Sequence, residues 1–454
     1  MRHKAYRRNP EKGQTILLVA VALVSLLGMA ALAIDVVTLY VARSEIQRAA
    51  DAAALAGAKA IADSGVTTLS PDDPSLAGAT TLAQTMATAS INAILPYNLV
   101  AGNQPTLLSS PITYPASSNP TNSNPHITVT LQVTNLPTFF AHIWGRTAVT
   151  AQASATAEAY NPANINAAFT PISPSSVKPW LVANLDPKNG NTPPIPQFID
   201  ETTWTIEKNV IGETFSLTAD CKPGGGGGRG GRQCNTISAQ PTVYARNVVE
   251  YMPATVPNPA NAQDVCPSTC RGGRPYEESI ECADPTPYVY YQCGSNNNGS
   301  TTSWSNAVNP NGTGNGGTNE SGTAAECLIH ATGPGSGQGQ DVLNTAPWPT
   351  GPMQITAQSG PLSGQVVSTS NSIVTIPIID PLSVGGQDAP LTVVGFLQAF
   401  INGVEPGFVA AANPGDINIT VLNVVGCSPN ATAANPVVGG TGTSPVPVRL
   451  ITPP

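Results

Sequence analysis

The chain has 454 residues, of which 41% are hydrophobic and only 10% are charged, and its formal net charge is −8. After residue 34 there are 14 Lys and Arg against 26 Asp and Glu, a net charge of −12. Such an acidic surface repels phosphate backbones, so nucleic acid is not expected as a partner. The 42 glycines and 44 prolines predict short strands and many turns.

A transmembrane helix is predicted at residues 15–34, a run of 20 residues without a charge. At roughly 1.5 Å per residue, its length matches a hydrocarbon core of about 30 Å. The preceding residues, 1–14, form a basic cytoplasmic segment that predicts an N-in, C-out orientation. Cleavage of a signal peptide at Ala33–Ile34 is the alternative, but such apolar regions usually span about 7–15 residues. We therefore expect a retained single-pass anchor, with the bulk of the chain periplasmic or otherwise extracytoplasmic.

The helix is predicted to continue beyond the membrane as far as Asp63. Small and apolar residues recur there at i, i+3, i+4 and i+7 spacing, which places them on one face. A face of small residues lets another helix or a sheet approach the backbone closely. This helix-packing stripe consists of Ile46, Ala49, Ala50, Ala53, Ala54, Gly57, Ala58 and Ile61.

Two acids on this helix are candidate interaction residues. Asp35, at the outer end of the span, could pair with a cation of a partner or could be a solvated stop for the membrane segment. The second interpretation is favoured, because interfacial charges cost little. Asp51 lies at the edge of the stripe, with Arg48 three residues earlier for a weak ion pair. Asp51 could contact another subunit, although a place in a packed domain core is favoured.

The fold class is predicted to be α+β. The extracytoplasmic unit at 35–160 contains a second helix at 79–95, alternating strands at 127–134 and 149–158, and a short helix at 136–144. Residues 161–198, rich in Pro and Asn, are predicted to be a linker. A β-rich, loop-rich C-terminal region, 199–454, follows, with a low-complexity middle at 221–345. Its strands are predicted at 203–207, 213–217, 372–379, 391–401 and 417–425.

The eight cysteines all follow the span, and an even number in an oxidising compartment predicts disulfides. They are Cys221, Cys234, Cys266, Cys270, Cys282, Cys293, Cys327 and Cys427. Their connectivity is not derivable, although Cys221–Cys234, Cys266–Cys270 and Cys282–Cys293 are plausible local loops. A zinc site from residues 266, 270, 282 and 293 is disfavoured, because it lacks the C-x2-C spacing common in structural sites.

No catalytic motif is present in the sequence. The chain has neither a Gly-x-Ser-x-Gly elbow nor an HExxH helix, and Cys266 and Cys270 do not have the C-x-x-C redox spacing. We therefore predict that the protein is not an enzyme and that it uses no cofactor and no metal ion.

Three segments carry a family resemblance: EKGQTILL at 11–18, AIDVVTLYVAR at 33–43 and QRAADAAALAGA at 47–58. Together they resemble the N-terminal segment of TadE/TadG-like Flp (tight adherence) pilus-assembly proteins. The resemblance implies a bacterial inner-membrane protein with a pilin-like helix, whose partners are other pilus-assembly or pilin-like membrane proteins.

Two questions stay open: whether the N-terminus is cleaved, and which of two functions the protein has. Pilins that are cut by a prepilin peptidase carry Glu at the fifth position after the Gly, where this chain has Leu18, so cleavage at Gly13–Gln14 stays open. The function expected from the resemblance is non-catalytic assembly through helix packing and extracytoplasmic protein contacts. The alternative is an anchored or secreted surface adhesion protein that binds through its C-terminal region.

Overall fold

The structure is a computed structural model. It describes residues 12–70, 72–114, 124–138, 140–141, 145, 148–164, 172–174, 177–190, 192–219, 241–245, 247–255, 275–281, 293, 320–330, 340–385, 389–404, 416–427, 437–438 and 444–451.

Four α-helices and seventeen strands occur within these residues. The helices are α1 (Lys12–Asp63), α2 (Leu76–Ile94), α3 (Pro275–Glu281) and α4 (Glu320–Leu328). The strands are β1 (Thr106–Ser109), β2 (Ile112–Thr113), β3 (His126–Pro137), β4 (Ala148–Ala159), β5 (Ile172–Ser173), β6 (Trp180–Ala183), β7 (Thr214–Ala219), β8 (Val243–Ala245), β9 (Val248–Pro253), β10 (Val342–Asn344), β11 (Gln354–Thr356), β12 (Val366–Val367), β13 (Ile373–Ile379), β14 (Val393–Val404), β15 (Ile417–Gly426), β16 (Val437–Val438) and β17 (Val448–Ile451). The long N-terminal helix and the β-rich C-terminal region expected from the sequence are confirmed.

The N-terminal helix is continuous over 52 residues, through the apolar run and on to the end of the small-residue stripe. It ends where Gly65 adopts a left-handed backbone conformation (φ +80°), which glycine reaches without a steric penalty. The second helix then returns alongside it: the Ser90 hydroxyl donates to the carbonyl of Ala56 over 3.2 Å. Because Pro96 cannot continue an α-helix, α2 gives way to a 3₁₀ turn at 95–97.

The first sheet covers one side of α1 and is antiparallel, with strand order β1-β3-β4-β17 and β2 paired to β3. The apolar side chains of β3 alternate with threonines and are buried (Ile127, Val129, Leu131 and Val133). The short helix predicted at 136–144 is wrong at its start. Leu136 instead pairs with Val149 after a bulge at Asn135 (φ +60°), so the strand persists to Pro137, and residues 142–144 lie outside the described ones.

The second sheet closes on itself. Its order is β6-β13-β14-β15-β7-β9-β8, and β6 also pairs with β9, so six strands form a ring with β8 outside it. Closure removes the unpaired strand edges that an open sheet exposes. Several aromatic residues of these strands are fully buried, among them Trp180, Phe215 and Phe396. The strand predicted at 203–207 is absent, apart from an isolated bridge between Ile199 and Ile206.

The segment predicted as a linker, 161–198, is part of the folded body over its described residues. Strand β6 within it pairs with β13 and β9, and Trp180 is fully buried. The Pro-rich and Asn-rich composition is misleading here because several of the polar groups are hydrogen-bonded inside the protein. Asn184, for example, donates to the carbonyl of Ile199 at 2.7 Å and accepts from its amide at 3.0 Å.

The closed sheet is joined directly to the C-terminal end of α1. Asn423 on β15 donates to the carbonyl of Ala62 over 2.7 Å, and the amide of Val424 donates to the Thr68 hydroxyl over 2.9 Å. Strand β17 then returns to the first sheet, where it pairs with β4. One continuous hydrophobic cluster contains residues from both sheets. The C-terminal region is therefore not a detached tail.

Candidate functional site: the N-terminal helix and its junction with the folded body

All eight residues of the stripe are buried within their own chain. The helix packs there against α2, β3, β4 and β17. Ile46, Ala50, Ala53, Ala54, Ala58 and Ile61 are fully buried, Ala49 is 2% exposed, and Gly57 is also buried. The face is thus occupied by the body of the same molecule, which leaves it closed to a second subunit.

Gly57 lies at the closest approach in this interface. A Cβ atom at this position would come within 2.9 Å of Ile127 Cδ1 on β3 and 3.1 Å of Ile91 Cδ1 on α2. Ordinary carbon–carbon contacts lie at about 3.5–4.0 Å. The absence of a side chain therefore allows a strand and a helix to meet the same turn of α1.

The first half of α1 projects from the body with its apolar side chains in the open. Leu18 is 62% exposed and Leu26 is 67% exposed. The helix is long and apolar enough to cross a membrane. Exposure of large apolar side chains does not stop at residue 34: Val37 is 62%, Tyr40 is 76% and Val41 is 48% exposed. The apolar surface thus extends about two turns beyond the predicted span.

Asp35 is the exception on this segment, and the prediction of a solvated stop is wrong. Its side chain is buried, with 4% exposed. Its carboxylate accepts the backbone amide of Phe140 at 3.0 Å and that of Ala141 at 2.6 Å, both at the end of the β3–β4 hairpin. Hydrogen bonds to an ionised acceptor are among the stronger ones in proteins. The acid thus joins the helix, just after its apolar run, to the connection between β3 and β4.

Asp51 is half-buried at the edge of the stripe. Its carboxylate accepts a hydrogen bond from Gln47 Nε2 at 2.9 Å, and Gln47 also reaches the carbonyl of Ser154 on β4 at 3.3 Å. No salt bridge joins Asp51 to Arg48 among the described residues. The acid therefore helps to orient a side chain at the contact between α1 and the first sheet.

The cysteines form at least one long-range disulfide. Cys293 is bonded to Cys427, 134 residues away, just after β15. This pairing corrects the predicted local loop between Cys282 and Cys293. The sequence could not show it, because the ring of strands brings distant residues together. Cys327 is also disulfide-bonded. Cys221, Cys234, Cys266, Cys270 and Cys282 lie outside the described residues.

The disulfide bears on the disfavoured zinc site as well. Zinc is bound by thiolates, and Cys293 has no free thiolate because its sulfur is bonded to Cys427. In the part of the chain that the structure describes, no group of three or more His, Cys, Asp or Glu side chains could hold a metal ion.

Several carboxyl groups of the body have shifted pKa values, and two of them are Glu213 and Glu158. Burial away from water, together with the Asp186 carboxylate, raises the pKa of Glu213 to about 8. The second group is Glu158 on β4. Its burial opposes ionisation, but the neighbouring His126 ring and Arg449 guanidinium outweigh the burial, so the pKa of Glu158 is lowered. Arg449 Nε lies 2.8 Å from Glu158 Oε2 and ties β17 to the first sheet.

Sequence reasoning missed the partner of Asp35 and the exposed apolar residues that follow it. The partner is a pair of backbone amides, which no side-chain motif reveals. A signal for the exposed residues was available, since the next charged residue after Asp35 is Arg43. The apolar residues from Val36 to Val41 could have been recognised as an extension of the apolar surface.

Comparison with known proteins bears on this helix. Residues 13–60 match the model of a family described as putative Flp pilus-assembly TadE/G-like. No curated protein and no solved structure matches the chain. The match covers the apolar run, Asp35 and nearly all of the stripe, and it stops before the closed sheet begins. Over residues 13–60 the N-terminal segment of this protein is therefore similar to the TadE/G-like Flp pilus-assembly family.

Proposed function

We propose that the protein is a membrane-anchored, non-catalytic component of Flp pilus assembly, with its N-terminus in the cytoplasm and its body outside. The observation that carries the proposal is the division of α1 into two halves. Its stripe is buried by the body of the same chain, while residues 15–41 present open apolar surface. The TadE/G-like match spans both halves.

This division changes which residues are expected to contact partners. The stripe cannot pack against another pilin-like helix unless the body comes away. Partner helices would instead meet the exposed apolar segment in the membrane, and extracytoplasmic partners would meet the outer surface of the body. The basic residues before the span support the N-in orientation, since such residues stay on the cytoplasmic side.

Site-specific photo-crosslinking in cells tests the proposal. A photoreactive amino acid at Val24, exposed in the apolar run, is expected to crosslink to membrane proteins of the pilus system. The same group at Ala54, fully buried, is the matched control and is expected to give no crosslink to another chain. Deletion of the gene is expected to reduce pili. If Val24 gives no crosslink to another chain and the pili are unchanged after deletion of the gene, the proposal is refuted.

A topology reporter separates the adhesion alternative from the assembly role. The full-length chain is expected to stay in membranes after carbonate washing, and alkaline phosphatase fused after residue 70 is expected to be active. A released form that begins near Ile34 and retains surface adhesion would favour the adhesion protein. The described C-terminal strands argue against a separable binding tail, because β17 belongs to the sheet that rests on α1.

A further inference from the structure

The geometry points to a second membrane contact: Phe140 and Ala141, in the connection from β3 to β4, lie in the outer interfacial layer of the bilayer, where Asp35 holds them. The inference rests on the anchoring role proposed for α1, and it concerns lipid rather than a pilus partner.

The first step is the level of the hairpin relative to the span. Asp35 is the residue directly after the apolar run, and its carboxylate binds the amides of Phe140 and Ala141. Two bonds from adjacent amides fix that part of the hairpin to one turn of the helix. Phe140 and Ala141 therefore lie where a helix that begins its span near residue 15 leaves a hydrocarbon core about 30 Å thick.

The second step is how far into the apolar run one side of α1 is shielded. Ala31 is 9% exposed, although its neighbours Met29 and Leu32 are 69% and 55% exposed. Ala31 precedes Asp35 by four residues, which is about 6 Å along the helix axis toward the membrane. One side of α1 is thus shielded from solvent within the apolar run itself, one turn before Asp35.

The third step is the apolar surface on the other side of the helix. Val37, Tyr40 and Val41 are open, and Arg43 is the first exposed charged residue after the span. Tyr40 lies about 7–8 Å beyond Asp35 along the axis. Each interfacial layer is about 5–8 Å thick and favours Tyr and Trp. This surface is continuous with the apolar run, so the bilayer that surrounds the run would also bury this surface.

The fourth step is how the Asp35 carboxylate is accommodated close to the hydrocarbon. A carboxylate near the hydrocarbon is costly unless it faces protein and is hydrogen-bonded. Asp35 meets both conditions, since it is 4% exposed and accepts two backbone amides. In this arrangement the acid lets the helix sit deep enough for Tyr40 to reach the interface. It also holds the hairpin at that depth.

Fluorescence quenching by brominated lipid tests the contact. The full-length protein is placed in phosphatidylcholine vesicles with and without dibrominated acyl chains, and tryptophan is introduced at Phe140 (Phe140→Trp). The emission added by this tryptophan is expected to fall by at least about half in brominated vesicles. The control is Leu362→Trp, an exposed apolar site that borders the same groove as Asp63 at the far end of α1. Its added emission is expected to be unchanged.

A second variant keeps the test decisive if tryptophan at Phe140 disturbs the hairpin. Tyr40→Trp, on the open side of α1, is expected to be quenched as well. Adding Asp35→Ala to Phe140→Trp is expected to reduce the lipid quenching, because the hairpin is then no longer tied to the helix.

Three outcomes would overturn the inference. The first is emission from Phe140→Trp that brominated lipid does not affect while the protein stays in the vesicles. The second is emission shielded from both lipid and aqueous iodide, as contact with a second copy would produce. The third is carbonate release of the protein, which would refute the anchor too. Strong lipid quenching in vesicles, combined with pili that are unchanged in cells lacking the protein, would refute the assembly role alone.

Discussion

Replacing Gly57 with leucine should destabilise the contact between α1 and the body without affecting membrane insertion. A Cβ alone would lie 2.9 Å from Ile127 Cδ1 and 3.1 Å from Ile91 Cδ1. Both atoms are ends of flexible side chains, so alanine can be accommodated. Alanine also recovers about 1 kcal/mol of helix propensity. We expect Gly57→Ala to be within about 1 kcal/mol of wild type.

Leucine adds three more carbons to the same filled space. Overpacking of this kind costs about 1–3 kcal/mol per site. Ala54 is fully buried one turn earlier, so Gly57→Leu with Ala54→Leu should cost about 2–6 kcal/mol if the two effects add. Insertion depends on the apolar run and its basic flank, which the substitutions leave intact.

Urea unfolding in detergent micelles, followed by far-UV circular dichroism, measures the loss, and carbonate extraction checks insertion. The matched control is Ala52→Leu with Ala56→Leu, since both alanines are only half-buried on the same helix. It should cost clearly less than the first pair, because part of each new side chain can extend into solvent. Equal destabilisation by both pairs would show that the buried face is not the tight one, and the packing argument would fail.

Three further predictions concern the rest of the body. Asp35→Ala should speed hydrogen exchange at the amides of Phe140 and Ala141, because they lose their acceptor; unchanged protection there would contradict the hydrogen bonds. Cys293→Ser should lower the free energy of unfolding by about 4–5 kcal/mol in urea, since the disulfide closes a long loop, whereas an unchanged midpoint would exclude that pairing. Glu213 has a pKa raised from its ordinary 4.5 to about 8, so the folded state holds a proton that the unfolded chain releases, and stability should fall as the pH rises between these values. Glu213→Gln should therefore raise the urea midpoint at pH 9 and leave it nearly unchanged at pH 4; the same gain at both values would rule out titration as the cause.

Local patterns in the sequence were enough to predict the elements near the membrane. The alternation in β3 and the stripe on α1 each have a strong period, and Ile127 and Ala54 lie on the faces that their periods select. Periodicity identifies a buried face but not what buries it. The stripe is covered by its own chain, and this follows from the path of β3 and β4 rather than from any property of the helix.

The features that were missed depend on contacts between distant residues. Asp35 meets backbone amides 105 residues away, and Cys293 meets a cysteine 134 residues away. Composition also misled at 161–198, where Pro and Asn suggested a linker. Asn161 instead donates to the carbonyl of Thr67 at 2.8 Å and to that of Val424 at 3.0 Å. Asparagine can satisfy buried carbonyls as well as water does, which a count of polar residues cannot reveal.

Under the topology proposed above, the pairing of β17 with β4 has a consequence for the order in which the protein is completed during export. Arg449 and Glu158 are 291 positions apart, yet they meet in the sheet that covers α1. The helix α1 ends at Asp63 and β17 begins at Val448, so almost four hundred further residues must follow the helix across the membrane before this sheet is complete. During that interval the alanines of the stripe have only part of their final cover, and another protein could hold the unfinished chain there. Passage of β17 across the membrane would end that opportunity and fix the body on its anchor.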